Sequence, residues 1–252
     1  MVVEIRIAEE LDSENVSHTE RAAEIIMDGG IVAYPYNGVF GLFGNIDNPE
    51  AVEKIHEAKA RPRDKKLIAT YLPEFIQEIA DAKKLNFPLD IITSIWREVH
   101  ALGFILPAST HAPYNLVIGG EGQGTILSIW TEYRPLRHMA EHVRKLGGRG
   151  LVGTSANKSG QTTHWQYEEL YADFRYDVEG IMKADFSNLP EVRRKSTSVI
   201  DLTNTHPRLH REGNVPEEEL REILNRYNLP LVMSRDVIVV RSRGYNPIQK
   251  VA

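Results

Sequence analysis

Apolar runs of strand length alternate with amphipathic stretches of helical length, which predicts an α/β protein: a twisted mixed sheet with flanking helices in a single domain. Three observations carry the prediction. Residues 31 to 59 read as strand, loop and helix; residues 67 to 84 repeat a strand and a helix; and Gly150-Leu151-Val152-Gly153 reads as a further buried strand that runs into a polar loop.

The first strand is expected over Val2 to Ile7, followed by a polar turn and a helix. Ala22, Ile25 and Ile26 fall on one helical face, and Gly29-Gly30 ends the helix. Ile31-Val32-Ala33-Tyr34-Pro35 is apolar throughout, as a buried strand should be, and the glycine-punctuated stretch from Asn37 to Gly44 reads as a loop. Pro49 then opens a helix from Glu50 to Lys59, at a position where its missing N–H is not needed. Leu67 to Leu72 reads as a strand, Pro73 to Lys84 and Leu89 to Leu102 as helices, and Phe104-Ile105-Leu106 as a strand. Strands over Leu116 to Ile118 and Thr125 to Trp130 bracket Gly119 to Gly124, which reads as a flexible hairpin or lid. A helix from Pro135 to Leu146 closes at Gly147-Gly148, and Ser196 to Leu202 and Val237 to Val240 read as strands. The helix expected from Pro216 to Asn228 carries Glu217, Glu218 and Glu219 in its first turn, where acidic groups suit the positive end of the dipole. No repeat or low-complexity linker breaks the chain. The expected division is therefore a domain over residues 1–215 and a short helix-strand extension over 216–252, too small for a core of its own.

Composition narrows the chemistry. Thirty Lys and Arg against 35 Asp and Glu leave a net charge of −5, which argues against a nucleic-acid coat over the whole surface while allowing a local basic patch. The absence of cysteine removes disulfides, thiolate metal sites and a cysteine nucleophile together. No run approaches the roughly 18 apolar residues of a membrane span, and the acidic first segment lacks the features of a secretory signal, so a cytoplasmic protein with no membrane partner is expected. No His-Glu-x-x-His, Gly-x-Ser-x-Gly or calcium-loop spacing occurs, and no metal site is expected among the scattered histidines. His100 and His111 read as structural or surface residues, and His138 and His142, four apart on a helix, are the one pair with a ligand's spacing. Trp96, Trp130 and Trp165 read as residues of the core or its margin.

Two segments could carry a reaction. Lys59-Ala60-Arg61-Pro62-Arg63-Asp64-Lys65-Lys66 holds five basic residues in eight, between a helix and a buried strand. Pro62 pushes Arg61 out of helical geometry, so the cations are displayed on a stiff loop. Two residues apart, Lys59 and Arg61 can grip one polyphosphate, the lysine as a point charge and the arginine as a fork. The same run also reads as a solvated basic turn at a helix C-terminus. Thr154-Ser155-Ala156-Asn157-Lys158-Ser159-Gly160 follows a buried strand, where open α/β sheets collect ligands. Its hydroxyls and amide can hold a ribose, a phosphate or a base edge, or simply close a turn on themselves. Gly120 to Gly124 has neither the Walker ending nor the dinucleotide-binding pattern.

The order of segments then becomes recognisable. A strand ending in Pro35 with Gly41-Leu42 beyond it, Lys59-x-Arg61-Pro62, Thr154-Ser155-Ala156-Asn157-x-Ser159-Gly160, Ser198-Val199-Ile200-Asp201-Leu202-Thr203 and Arg211-x-Gly213 resembles the YrdC-like family of threonylcarbamoyl-AMP synthases over roughly Arg21 to Val215. The resemblance implies a YrdC-like nucleotide-binding domain with a concave basic cleft. It also implies a reaction that joins L-threonine, or another amino acid, to bicarbonate and ATP, giving a carbamoyl-adenylate and pyrophosphate. Mg2+ is expected with ATP, and a downstream transferase complex would carry the product to adenosine 37 of certain tRNAs. By the same resemblance, Lys59 and Arg61 are catalytic and nucleotide-binding, and Thr154, Ser155, Asn157, Ser198 and Arg211 complete the nucleotide contacts. Pro35, Tyr36, Asn37, Gly38 and Phe40 line the amino-acid pocket.

The departures fall on that pocket. The family reads Pro-Thr-x-Thr-x-Tyr-Gly-Leu where this chain has Pro35-Tyr36-Asn37-Gly38-Val39-Phe40-Gly41-Leu42, without the threonines and the tyrosine hydroxyl. Losing partners for a hydroxyl and an ammonium group should cost amino-acid selectivity more than nucleotide affinity. Two alternatives stay open at this level: a carbamoyltransferase-type domain with a different acceptor, and a double-stranded RNA-binding module using Lys59 to Lys66 with Arg193, Arg194 and Lys195.

Overall fold

The computed structural model describes residues 6–99, 101–113, 115–118, 124–131 and 133–239. The first strand, β1, is Glu9–Asp12 and not Val2 to Ile7; of that expected strand, residues up to Ile5 lie outside the described part and Arg6 and Ile7 are not in a strand. Register with Gly180–Lys183 selects the later segment. Helix α1 (Val16–Met27) starts at Asn15, whose side chain accepts from the Ser17 N–H, and buries Ala22, Ile25 and Ile26 as the spacing predicts.

Strands β2 (Val32–Tyr36) and β3 (Val39–Asn45) form an antiparallel hairpin, which corrects the loop expected from Asn37 to Gly44. Tyr36 pairs with Val39 across Asn37 and Gly38, whose φ angles are 41° and 93°. Two left-handed residues in a two-residue turn match the right-handed twist of the strands, and Asn-Gly tolerates that conformation best. Gly41 and Gly44 resemble loop punctuation in the sequence yet lie inside a strand.

Next come α2 (Pro49–Ala58), capped by the Asn48 side chain, and β4 (Ile68–Thr70). The helix expected from Pro73 to Lys84 is instead two short 3-10 turns, Pro73–Glu78 and Ala82–Lys84. Between them Ala80 bridges to Ala108, and the Asp81 carboxylate accepts from the Lys83 N–H to start the second turn. Helix α3 (Leu89–Val99) stops short of Leu102, because Ala101–Pro107 is already strand β5. Strand β6 is Thr125–Thr131; before it, Ile118 makes an isolated bridge to Thr125 in place of the strand expected from Leu116, and the Gly119 to Gln123 stretch of the expected lid lies outside the described residues. The remaining elements are α4 (Arg134–Lys145), β7 (Leu151–Ser155), α5 (Tyr167–Phe174), β8 (Gly180–Lys183), β9 (Val199–Asp201), β10 (Arg208–Glu212), α6 (Glu217–Arg226) and β11 (Val232–Val239). The sequence pattern assigns no element to α5, β8 or β10. Helix α5 buries only Leu170 and Phe174, and β10 buries only Leu209, between Arg208 and His210, so neither shows a clear apolar period.

The chain divides into two compact units. One is built from residues up to Thr70 with Tyr133–Leu189, and its strands run in the order β1-β8-β2-β3-β7-β4. Strand β8 is parallel to both its neighbours, and the β2-β3-β7-β4 part is antiparallel. Its core centres on β2, with Ile31 to Tyr34 fully buried. The buried Tyr34 hydroxyl donates to the Pro135 carbonyl and meets Thr19, tying α1 and α4 to the sheet. The second unit holds residues from 71 to 132 and from Pro190 onward, with strand order β6-β5-β9-β10-β11 and helices α3 and α6. Trp130 packs edge-on against Trp96 and Phe104 at its centre, while Trp165 of the first unit is half-buried. Among the described residues no helix is long and apolar enough to cross a membrane.

At φ 93° Gly38 holds a left-handed conformation that strains a residue carrying a Cβ. Gly38→Ala is expected to lower unfolding free energy by about 1–2 kcal/mol in urea titration, with an unchanged m-value.

Candidate functional site

The cationic segment begins where α2 ends. Lys59 is the last residue in helical conformation, and Ala60 adopts a left-handed φ of 49°. The Ala60 N–H bonds to the Glu57 carbonyl and the Arg61 N–H to the His56 carbonyl, the paired closure that a left-handed residue makes at a helix end. Glycine is the usual occupant of that position, and Pro62 just beyond prevents the helix from continuing. The reversal at Ala60 separates the fates of its neighbours. Lys59 is 1 % exposed, whereas Arg61 remains half-buried on the loop.

The Lys59 ammonium reaches across to the loop after β7. It donates to the Ser155 carbonyl, to the Asn157 carbonyl at 2.6 Å and to Asn157 Oδ1 at 3.1 Å. Ser155 Oγ donates to the same Oδ1 at 2.6 Å, and Asn157 Nδ2 donates to the Lys158 and Gln161 carbonyls. The Ser159 N–H closes the ring on the Lys59 carbonyl at 2.9 Å. Lys158 caps the end of α2 through the Ala58 carbonyl and pairs with Asp177. Burial, and then the nearby charges of Arg61 and Lys158, push the Lys59 amine down to about 7. The Arg61 guanidinium donates Nε to the Lys65 carbonyl and a terminal nitrogen to that of Lys66, both at 3.0 Å, which folds the 61–66 loop around it; burial lowers its pKa. Arg63 is spent on Glu53 and Glu57 of α2.

Lys59, Arg61, Thr154, Ser155 and Asn157 therefore belong to one unit, and Lys59 joins the two segments directly. The hairpin lies alongside, with Gly41 opposite Ser155 and Leu42 opposite Thr154. Pro35 and Tyr36 are buried beside the turn formed by Asn37 and Gly38. Phe40 is wholly buried, its ring 5.3 Å from that of Phe186, so its side chain belongs to the core beneath the hairpin.

Ser198 and Arg211 lie in the second unit. The Ser198 hydroxyl donates to the Val215 carbonyl and accepts from the Gly213 and Val215 N–H groups, which uses its one proton and both lone pairs. Its N–H goes to Asn214 Oδ1, so every polar atom of its side chain and its amide is committed to the 213–215 turn. A Cβ at Gly213 would lie 1.9 Å from the Ser196 carbonyl, so only glycine fits there. Arg211 Nε donates to the Thr197 carbonyl at 2.9 Å.

His138 and His142 both face Glu20 of α1, at 3.8 and 3.6 Å from the same carboxylate oxygen. Among the described residues no group of three or more His, Asp or Glu is arranged to hold a metal ion. His164, Glu169 and Asp173 go unnoticed in the sequence, although acids five and nine residues after a histidine, on a segment that turns out helical, were a readable signal.

Comparison with known proteins places these features in context. Residues 24–213 match the Sua5/YciO/YrdC family model, described as telomere recombination. A threonylcarbamoyl-AMP synthase of Pyrococcus abyssi is 28 % identical over 225 residues, which cover 88 % of this chain and 62 % of that protein. One from Vibrio vulnificus is 34 % identical over 186 residues, 72 % of this chain and 92 % of the relative. Among solved structures, P. abyssi Sua5 complexed with L-threonine is similar with a TM-score of 0.73 at 25 % identity, covering 90 % of this chain and 62 % of that one. E. coli YciO shares the fold with a TM-score of 0.66 at 20 % identity, over 85 % of this chain and 97 % of YciO. The chain thus spans less than two thirds of the P. abyssi protein and nearly all of the Vibrio one.

The backbone at Ala60 offers a direct stability test. Ala60→Gly is expected to raise unfolding free energy by about 0.5–1 kcal/mol, and Ala60→Val to lower it by about 1 kcal/mol or more, both read by chemical denaturation.

Proposed function

The chain belongs to the Sua5/YciO/YrdC family, and from that premise we propose that it is a threonylcarbamoyl-AMP synthase-like nucleotidyltransferase acting on ATP, bicarbonate and an amino acid, with L-threonine the leading candidate. The single observation that supports this best is the meeting of the Lys59-x-Arg61 segment with the Ser155-x-Asn157 loop in one unit around a buried ammonium. Two relatives that cover most of this chain carry the synthase name, and the P. abyssi structure holds L-threonine.

In this reading the amino nitrogen attacks bicarbonate carbon and water leaves, giving a carbamate. A carbamate oxygen then attacks the α-phosphorus; the new P–O bond forms as the bond to the β-phosphate breaks, and pyrophosphate departs. No protein nucleophile is required. The work is positioning and neutralisation of charge, which suits two cations of different shape. Arg61 keeps donor positions beyond its two loop carbonyls and serves as the fork for phosphate or carboxylate oxygens. Lys59 already has three oxygens for its three protons, so a phosphate oxygen reaching it replaces one of them. Thr154 and Ser155 supply hydroxyls to the nucleotide. Magnesium enters only with the nucleotide phosphates. Tyr36, Asn37 and Gly38 line the amino-acid side, with Pro35 and Phe40 as its support, and the adenylate passes to a transferase that modifies tRNA. Arg63 and Arg193 are paired with Glu53 and Glu219, which removes two cations from the surface that the RNA-binding alternative needs.

Pyrophosphate release should require ATP, bicarbonate and amino acid together; release no greater than background with all three at saturation, while ATP still binds, would dismiss the threonine reading. Because Tyr36, Gly38 and Phe40 stand where the family pattern has two threonines and a tyrosine hydroxyl, threonine is expected to be preferred over valine by no more than about 100-fold in kcat/KM. Arg61→Ala should weaken ATP binding by about tenfold or more, and Arg61→Lys should fail to restore it.

Lys59 also gives a pH signature. Its amine titrates near 7 in the folded chain against an ordinary value of 10.5, so between those values the folded protein binds fewer protons than the unfolded one. Stability from this group therefore rises with pH across that window. A polyphosphate beside Lys59 restores its charge. Calorimetry at pH 8 in buffers of different ionisation enthalpy should then show net uptake of a fraction of a proton on ATP binding, lost in Lys59→Met.

A further inference from the structure

His164 is 1 % exposed and takes no part in the reaction described above. We propose that it is a positioning residue, through which the acidic pair Glu169 and Asp173 of α5 fixes the Ser155–Asn157 loop for its ligand; the inference rests on the nucleotide reading of that loop. Its Nε2 lies 2.8 Å from Asp173 Oδ2 and donates to it, and its Nδ1 lies 3.5 Å from Glu169 Oε2. Glu169 and Asp173 are one turn apart, so both nitrogens face a single side of the helix, and the ring sits edge-on to Phe174, 6.1 Å between centroids.

The backbone of the same residue holds the loop. The His164 N–H donates to the Ala156 carbonyl at 3.1 Å, and its own carbonyl accepts from the Phe40 N–H at 2.9 Å. The Ala156 N–H in turn donates to the Phe40 carbonyl at 2.8 Å, and Thr163 Oγ1 reaches that same oxygen. Ala156 is thus gripped on both its polar groups, and it is the residue between Ser155 and Asn157. A shift of the imidazole moves Ala156, and with it the two carbonyls and the amide that hold Lys59. Lys158 makes a second tie to the same helix, with its ammonium 4.6 Å from the Phe174 ring centre and paired with Asp177. An apolar side chain would fill the space under α5 but would carry no orientation. The imidazole, bonded to Asp173 through Nε2 and with Glu169 3.5 Å from its Nδ1, carries both.

The test compares His164→Leu, which keeps the volume and removes both nitrogens, with His164→Gln, whose amide can still donate to Asp173. Hydrogen exchange read at the Phe40 and Ala156 amides without any ligand should quicken by about tenfold in His164→Leu, with β2 and β8 amides unchanged. ATP dissociation constants from calorimetry should rise by about tenfold in His164→Leu and by less than about threefold in His164→Gln, with kcat changed less than KM in each. Unchanged exchange at the two amides, unchanged ATP affinity in a folded His164→Leu protein, or a His164→Gln protein as impaired as His164→Leu would each overturn the assignment. Should His164→Leu fail to fold, Asp173→Ala removes the partner from the half-buried end of the contact and should quicken the same amides; exchange and affinity equal to the parent would again overturn it. A parent protein that does not bind ATP ends the nucleotide reading instead, and the exchange comparison still decides whether His164 holds the loop.

Discussion

A buried ammonium without a carboxylate partner is the constraint from which the rest follows. Among the described residues the acceptors of Lys59 are two carbonyls and an amide oxygen, all from the loop after β7. Removing a cation from water costs several kcal/mol, and dipoles repay only part of it while leaving the charge in place. The neighbourhood adds Arg61 on the same side of the ledger, whereas Lys158 and Arg63 are cancelled by Asp177 and by Glu53 and Glu57. What remains is a small region where Asp64 offsets only part of the charge of Lys59 and Arg61, inside a protein of net charge −5. Such a region is costly to the fold on its own and favourable to any fold that binds an anion there.

Holding that charge dictates the surrounding architecture. Lys59 can point inward only because α2 terminates under it, and α2 terminates there because Ala60 turns left-handed and Pro62 blocks continuation. The loop that receives it must offer carbonyls rather than N–H groups. Asn157 arranges this by spending its Nδ2 on the Lys158 and Gln161 carbonyls and turning Oδ1 toward the lysine and Ser155. A serine and an asparagine two residues apart are therefore as much a folding requirement of the lysine as a ligand set. The pairing of the two motifs in sequence has this physical root: each leaves the other unsatisfied when it is absent.

Much of this was legible before any coordinates. The helix that ends at Lys59, the buried strand before Thr154 and the conjunction of the basic and hydroxyl-amide segments are strong patterns, because they depend on apolar periodicity and on residues with few other uses. The hairpin at Asn37-Gly38 was legible too, but glycines inside β3 outweighed the turn dipeptide. The 3-10 turns between Pro73 and Lys84 were not, since one Asp side chain and one isolated bridge decide them. Nor could the sequence separate ligand residues from scaffold residues within a motif. Ser198 and Phe40 look like site residues by position, and only a count of their hydrogen bonds and burial shows that one is consumed by the 213–215 turn and the other by Phe186.

That separation bears on how such a site changes its substrate. The ammonium, its three oxygens and the helix end are mutually dependent, so replacing any one of them leaves a buried group unpaired and costs stability as well as function. The hairpin tip carries no comparable debt. Asn37 and Gly38 are chosen by the turn, Val39 pairs with Tyr36 in the ladder, and Phe40 answers to the core. Their side chains can change without stranding a charge. Change on the hairpin, beside a fixed Ser155–Asn157 loop, is the outcome these unequal costs favour.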